Sequence, residues 1–136
     1  MKHILVLYIA FIFFASCTSE DDFPNFHFEI LTVDSVDIPV EFELGKIYPI
    51  TVSYLSPTPC HAFREFYYVK ENNERTVAPI TYVFEESDCE TLEDSLLEAT
   101  FNFKVTSNGS YIFNFWQGKD EAGEDQYLSI EVPVVE

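Results

Sequence analysis

Positive charge is scarce in this chain. Seven Lys and Arg stand against 24 Asp and Glu, for a formal net charge of −17 over 136 residues. Binding to a nucleic-acid backbone depends on clustered Lys and Arg, so that class of partner is excluded. Electrostatic docking on anionic lipid fails for the same reason. Histidine is rare too, at three residues, and no nucleophile elbow or comparable catalytic motif accompanies them. No apolar run reaches the roughly 18–20 residues that a membrane-spanning helix needs. Apolar material is nevertheless plentiful. Hydrophobic residues make up 47% and aromatic residues 17%, far more than an acidic disordered chain carries. The length suits one domain.

The N-terminus concentrates the longest apolar run. After Met1-Lys2-His3, residues Ile4–Ala15 (ILVLYIAFIFFA) contain no charged or strongly polar side chain. A core of this length, followed by the small Ala15 and Ser16, has the form of a secretory signal. Cys17 then follows directly. Phe14-Ala15-Ser16-Cys17 resembles the lipobox of bacterial lipoproteins, with Phe14 where leucine is commoner. The resemblance implies cleavage before Cys17, a diacylglyceryl group on its thiol, and usually an acylated amino end. One acyl chain holds a membrane only marginally, whereas two or three hold it stably. Thr18-Ser19-Glu20-Asp21-Asp22 is similar to the export signal of surface lipoproteins in the Bacteroidota. That implies display on the outer face of the outer membrane; a merely solvated acidic tether is the alternative. The expected organisation is a signal peptide at 1–16, an acidic lipidated tether at 17–25, and a folded domain at 26–136.

Two cysteines remain beyond the anchor, Cys60 and Cys89. Outside the cytoplasm an even pair reads as a disulfide, closing a loop of about thirty residues. Two buried free thiols are the alternative. A zinc site wants three or four ligands, and only His61 stands near.

Most of the remaining chain alternates apolar and polar residues in short runs between turn residues, the pattern of strands. Phe26–Val33, Val40–Leu44, Ile47–Tyr54, Ala62–Lys70 and Arg75–Phe84 are such runs. Tyr48, Ile50, Val52 and Tyr54 share one face, and Pro79 suggests that the fifth run lies at a sheet edge. Residues 85–97 read as an acidic loop with one helical turn at Leu92–Leu97. Glu98–Thr106 and Ser110–Gln117 flank Ser107-Asn108-Gly109, a hairpin signal. A three-residue loop with Gly109 at positive φ aligns Phe101, Phe103 and Val105 with Phe115, Phe113 and Tyr111 on one face. In Tyr127–Val134, residues Leu128, Ile130, Val132 and Val134 point inward. The expected fold is all-β, an antiparallel sandwich of about seven to eight strands. By strand count and spacing it resembles an immunoglobulin-like domain, although the usual buried-strand cysteines and core tryptophan are not in their places.

Candidate functional residues are few. Ile112, Asn114 and Trp116 fall on the face opposite the apolar stripe of their strand, where outward aromatics stack on sugar rings or anchor a protein partner. Residues 119–125 place Asp120, Glu121, Glu124 and Asp125 around Gly123, oxygens that suit Ca²⁺ but without EF-hand spacing. Asp34-Ser35-Val36 and Asp94-Ser95-Leu96 resemble the O-glycosylation motif of the Bacteroidota, with Ser35 and Ser95 as acceptors. Asn108-Gly109-Ser110 fits the N-glycosylation pattern, though a turn explains it. No cofactor or metal is expected. The leading expectation is a membrane-anchored binding or assembly module with a protein or glycan partner. Its competitors are a small envelope enzyme or enzyme inhibitor using the Cys60/His61 loop, and a structural accessory subunit.

Overall fold

The computed structural model describes residues 24–85, 88–93 and 95–136. Nine strands follow one another there, with no helix: β1 (Phe26–Ile30), β2 (Val33–Asp37), β3 (Phe42–Glu43), β4 (Ile47–Leu55), β5 (His61–Glu71), β6 (Glu74–Phe84), β7 (Leu96–Lys104), β8 (Ser110–Lys119) and β9 (Asp125–Val135). The larger sheet runs β1-β6-β8-β9-β3, with β5 also paired to β6; the smaller runs β2-β4-β7. Most pairs are antiparallel. The exceptions are β6 with β8 and β3 with β9, both parallel, so the purely antiparallel expectation is corrected.

The ninth strand comes from a run that divides. Residues 26–33 read as one strand, yet β1 joins the larger sheet and β2 the smaller. Leu31 marks the crossing; it is buried, and its N–H donates to the Pro79 carbonyl at 2.9 Å. A continuous apolar run has no local signal for a change of sheet, because alternation survives the bend.

Pro79 does not lie at an edge. β5 runs along one side of β6, while β8 pairs with Glu74–Val77 and β1 with Ile80–Phe84 on the other. Pro79 sits in the gap where β6 passes from one neighbour to the next. Its carbonyl faces that gap, toward Leu31, and the nitrogen of a strand residue points the same way. The missing N–H therefore takes no bond from any ladder.

The expected hairpin is also replaced. β7 pairs with β4 from Ile47↔Lys104 to Leu55↔Leu96, and β8 pairs with β6 and β9. The 105–109 segment is thus a corner between sheets. Gly109 does take a positive φ, 95°. The Tyr111 hydroxyl accepts the N–H groups of Thr106 and Ser107 at 3.2 and 3.0 Å, closing the corner. The two aromatic stripes meet across the layers instead of side by side, with Phe103 at 4.9 Å from Tyr111 and 5.1 Å from Phe113. Burial explains the choice, since facing stripes cover each other whereas a ribbon would leave both needing a lid. The described residues of Leu92–Leu97 show no helical turn, and Leu96 and Leu97 begin β7.

The layered, sandwich-like core lies between the sheets. Ile50 and Val52 meet Val77, Phe113, Phe115 and Val132, all fully buried. Phe42 of the short β3 is wedged among Tyr48, Phe103, Tyr111 and Phe113. Tyr48, Ile50, Val52 and Tyr54 share the inward face of β4 as expected, and Leu128, Ile130, Val132 and Val134 that of β9.

Candidate functional site

Cys60 and Cys89 form a disulfide, with their Cα atoms 5.6 Å apart. Beside it the His61 side chain is only 6% exposed. Thr58 Oγ1 lies 2.8 Å from its Nδ1, and Glu29 Oε2 lies 3.0 Å from its Nε2. The Thr58 oxygen also accepts the Cys60 N–H at 3.2 Å. This chain of bonds ties the disulfide loop to β1. Thr58 and His61 line none of the three surface depressions described below.

Ile112, Asn114 and Trp116 point away from the core along β8, each half-buried. Asn114 Oδ1 accepts from Ser129 at 2.6 Å, and Trp116 Nε1–H donates to Asp125 Oδ1 at 3.0 Å. Tyr127 stands opposite Trp116 in register, and Tyr67 stands opposite Ala78 on the far side of β6. Because Ala78 is small, the outer surface dips there. A dish of about 300 Å³ forms, with Tyr67, Trp116, Tyr127 and Ile30 around Ala78, and Thr76, Lys119 and Asp125 as its polar groups. Beyond Ile30 and Trp116 a cleft of about 500 Å³ continues toward Leu55, Pro57, Leu92 and Ser95.

The apolar outer surface extends along β1. Phe26 is 46% and Phe28 51% exposed, packed on Tyr82 with centroids at 5.2 and 5.4 Å. Arg64 lies 4.3 Å over the Phe28 ring, a cation–π contact. None of these residues was legible as a site. Apolar alternation normally marks the core face, and only the sheet partner tells which side of β1 faces in.

The acidic 119–125 loop is organised by itself. Asp120 Oδ1 accepts the N–H groups of Ala122 and Glu124, both at 2.9 Å. Asp125 Oδ1 accepts from Lys119 Nζ at 2.9 Å as well as from Trp116. The bonds from Lys119 and then Trp116 favour the ionised form and hold the Asp125 carboxyl below its ordinary range. Among the described residues, no three His, Cys, Asp or Glu side chains converge as metal ligands.

Ser35 is exposed on the edge strand β2, whereas Ser95 is half-buried beside β7 and lends its carbonyl to Ser56 N–H at 2.9 Å. Asp94, Cys17 and the acidic residues 18–22 lie outside the described residues. Set against family models, curated proteins and solved structures, the chain matches none.

Proposed function

We propose that this chain is a lipid-anchored binding module on the outside of the outer membrane, and that the aromatic dish around Trp116 takes a glycan. In this reading the two sheets form an immunoglobulin-like sandwich that serves as a rigid mount. The observation that carries it is the grouping of Tyr67, Trp116 and Tyr127 on the solvent face of a sheet whose other face already makes the core. Aromatic rings with carboxylate, amine and hydroxyl groups beside them suit a sugar, whose C–H face stacks while its hydroxyls hydrogen-bond. The dish is at the lower end of ligand-site sizes, which suits one or two sugar rings of a chain that continues over the surface. A fixed donor on Trp116, already bonded to Asp125, keeps the indole in one orientation without ligand.

The anchor part rests on Phe14-Ala15-Ser16-Cys17 and the acids that follow. Cys17→Ala should abolish fatty-acid labelling and detergent partitioning, and label retained by the variant would refute the anchor. Replacing Ser19, Glu20, Asp21 and Asp22 with Ala or Gly should leave a lipidated, folded protein that faces the periplasm. Protease added to whole cells would then spare the variant and digest the native domain; equal digestion removes the surface address. For the dish, Trp116 is the sole tryptophan, so its emission reports the site without assignment. Titration with neutral cell-surface oligosaccharides should shift it saturably, and Tyr127→Ala should weaken that response. No shift with any oligosaccharide, together with cross-linking from this face to a protein, would replace the glycan with a protein partner.

A further inference from the structure

The cations of this acidic chain are not evenly placed. Lys46, Arg64 and Lys119 each hold a carboxylate, on Glu43, Glu65 and Asp125 respectively. Lys70, Arg75 and Lys104 have no such partner among the described residues, and all three line one groove of about 440 Å³. The groove lies on the flank of the molecule between β5 and β7, both edge strands, and takes the side chains of β5 and β6 that alternate with those lining the dish, on the opposite face of the two strands. Its other walls include Phe66, Tyr68 and Phe101, and no Asp or Glu contributes to it.

Two features make that arrangement costly for the protein alone. Lys70 and Arg75 stand directly opposite each other on antiparallel strands, where like charges destabilise. Arg75 is also only 4% exposed. Its guanidinium donates to the carbonyls of Asn72 and Glu74 at 2.9 and 2.7 Å and lies 5.2 Å from the Tyr111 ring and 5.7 Å from that of Phe103. Dipoles and π-faces satisfy the N–H groups, but they are not a counter-charge, and a buried cation without one is expensive. Net repulsion of anions by a −17 chain is screened beyond about 8 Å in physiological salt, so the groove acts locally.

We propose that this groove binds an acidic saccharide, a sugar ring bearing a carboxylate or sulfate. The oxyanion sits among Lys70, Arg75 and Lys104, and the apolar ring face lies on Tyr68 and Phe101. The three cations thereby gain the charge partner that the chain withholds, and the aromatic walls favour a ring over a bare inorganic anion.

The test is calorimetric titration of the full-length chain in detergent with trigalacturonate, its methyl ester, a sulfated galactan trisaccharide and a glutamate peptide of matched charge. An acidic trisaccharide should bind at least about tenfold more tightly than the ester, and Lys70→Gln with Lys104→Gln should remove about tenfold or more of that affinity. Both lysines are exposed, so circular dichroism and thermal midpoint should stay native in that variant. Tyr68→Ala should weaken the sugar without weakening the peptide. Preference for the sulfated over the carboxylated sugar would assign the oxyanion as sulfate. Equal binding of acid and ester, an unaffected lysine variant, no binding by either acidic sugar, or a peptide that binds as tightly as the sugars would each overturn the proposal. Trp116 emission should stay constant throughout, which separates this site from the outer-face dish.

Discussion

Asp125 shows how one side chain can set the geometry of a surface. Its Oδ1 receives both the Lys119 amine and the Trp116 indole N–H, and those donors lower its pKa from the ordinary 3.8. A carboxylate with a depressed folded pKa contributes stability that is present above the unfolded value and lost as pH falls through the folded one. Acidification should therefore leave Trp116 emission flat down to about pH 4 and change it only below. In Asp125→Asn that acid transition should vanish, and a transition that persists would mean another group controls the indole. Tyr111 is the second such residue. Tyr111→Phe keeps the ring among Phe42, Phe103 and Phe113 but removes the acceptor for Thr106 and Ser107 N–H. A loss of about 1 kcal/mol in urea unfolding is expected, since water reaches the exposed corner and replaces part of the bonding.

Among the elements, β8 carries the heaviest duties. Its inward residues Tyr111, Phe113 and Phe115 fill the core, and near its end Trp116 and Lys119 line the dish, which Ile112 and Asn114 do not reach. Between Trp116 and Lys119 its pairing with β9 shifts register, and Gly118 there has φ 98°. A bulge of this kind bends a strand and re-aims its side chains. Gly118 also faces the crossing between β1 and β2, where an added Cβ would come within 3.2 Å of Thr32 Cγ2. Gly123 shares the positive φ but faces open space. Gly123→Ala should thus carry only the left-handed strain of about 1–2 kcal/mol. Gly118→Ala should cost measurably more, and equal losses in thermal or urea unfolding would show that the Thr32 contact is slack.

At the scale of the molecule, the Cys60–Cys89 bridge and the His61 bonds pin one end of the larger sheet. The bridge spans a sequence separation of 29, for which loop entropy gives a stabilisation of about 3–4 kcal/mol. Reduction of the full-length protein should lower its unfolding midpoint accordingly. Alkylation without reductant should leave both thiols unmodified, and ready labelling of protein taken from cells would argue that the bridge does not form there. The sheets themselves are held by the aromatic contacts across the core. Phe103→Ala, which breaks contacts with Phe42, Tyr111 and Phe113, should cost about 3–5 kcal/mol.

Local chemistry determined a good deal of this protein. Alternation in IYPITVSY and in LSIEVPV marks strands and their inward faces, because a period of two is a property of extended backbone and needs no partner. Likewise Gly109 was readable as a positive-φ position, and the Cys60–Cys89 pair as the only two cysteines after Cys17. What alternation leaves open is the identity of the neighbour. The stripes of β7 and β8 match each other as well across a core as along a hairpin, and only the pairing of β7 with β4 chose between them. Pro79 pointed to an edge because one missing N–H looks like a missing neighbour; the tertiary structure instead set it in a gap between two neighbours. The groove of Lys70, Arg75 and Lys104 was invisible for a related reason. Residues 70 and 75 meet across a turn, but Lys104 reaches them only when the two sheets close, and charge has no periodicity that announces a meeting between layers.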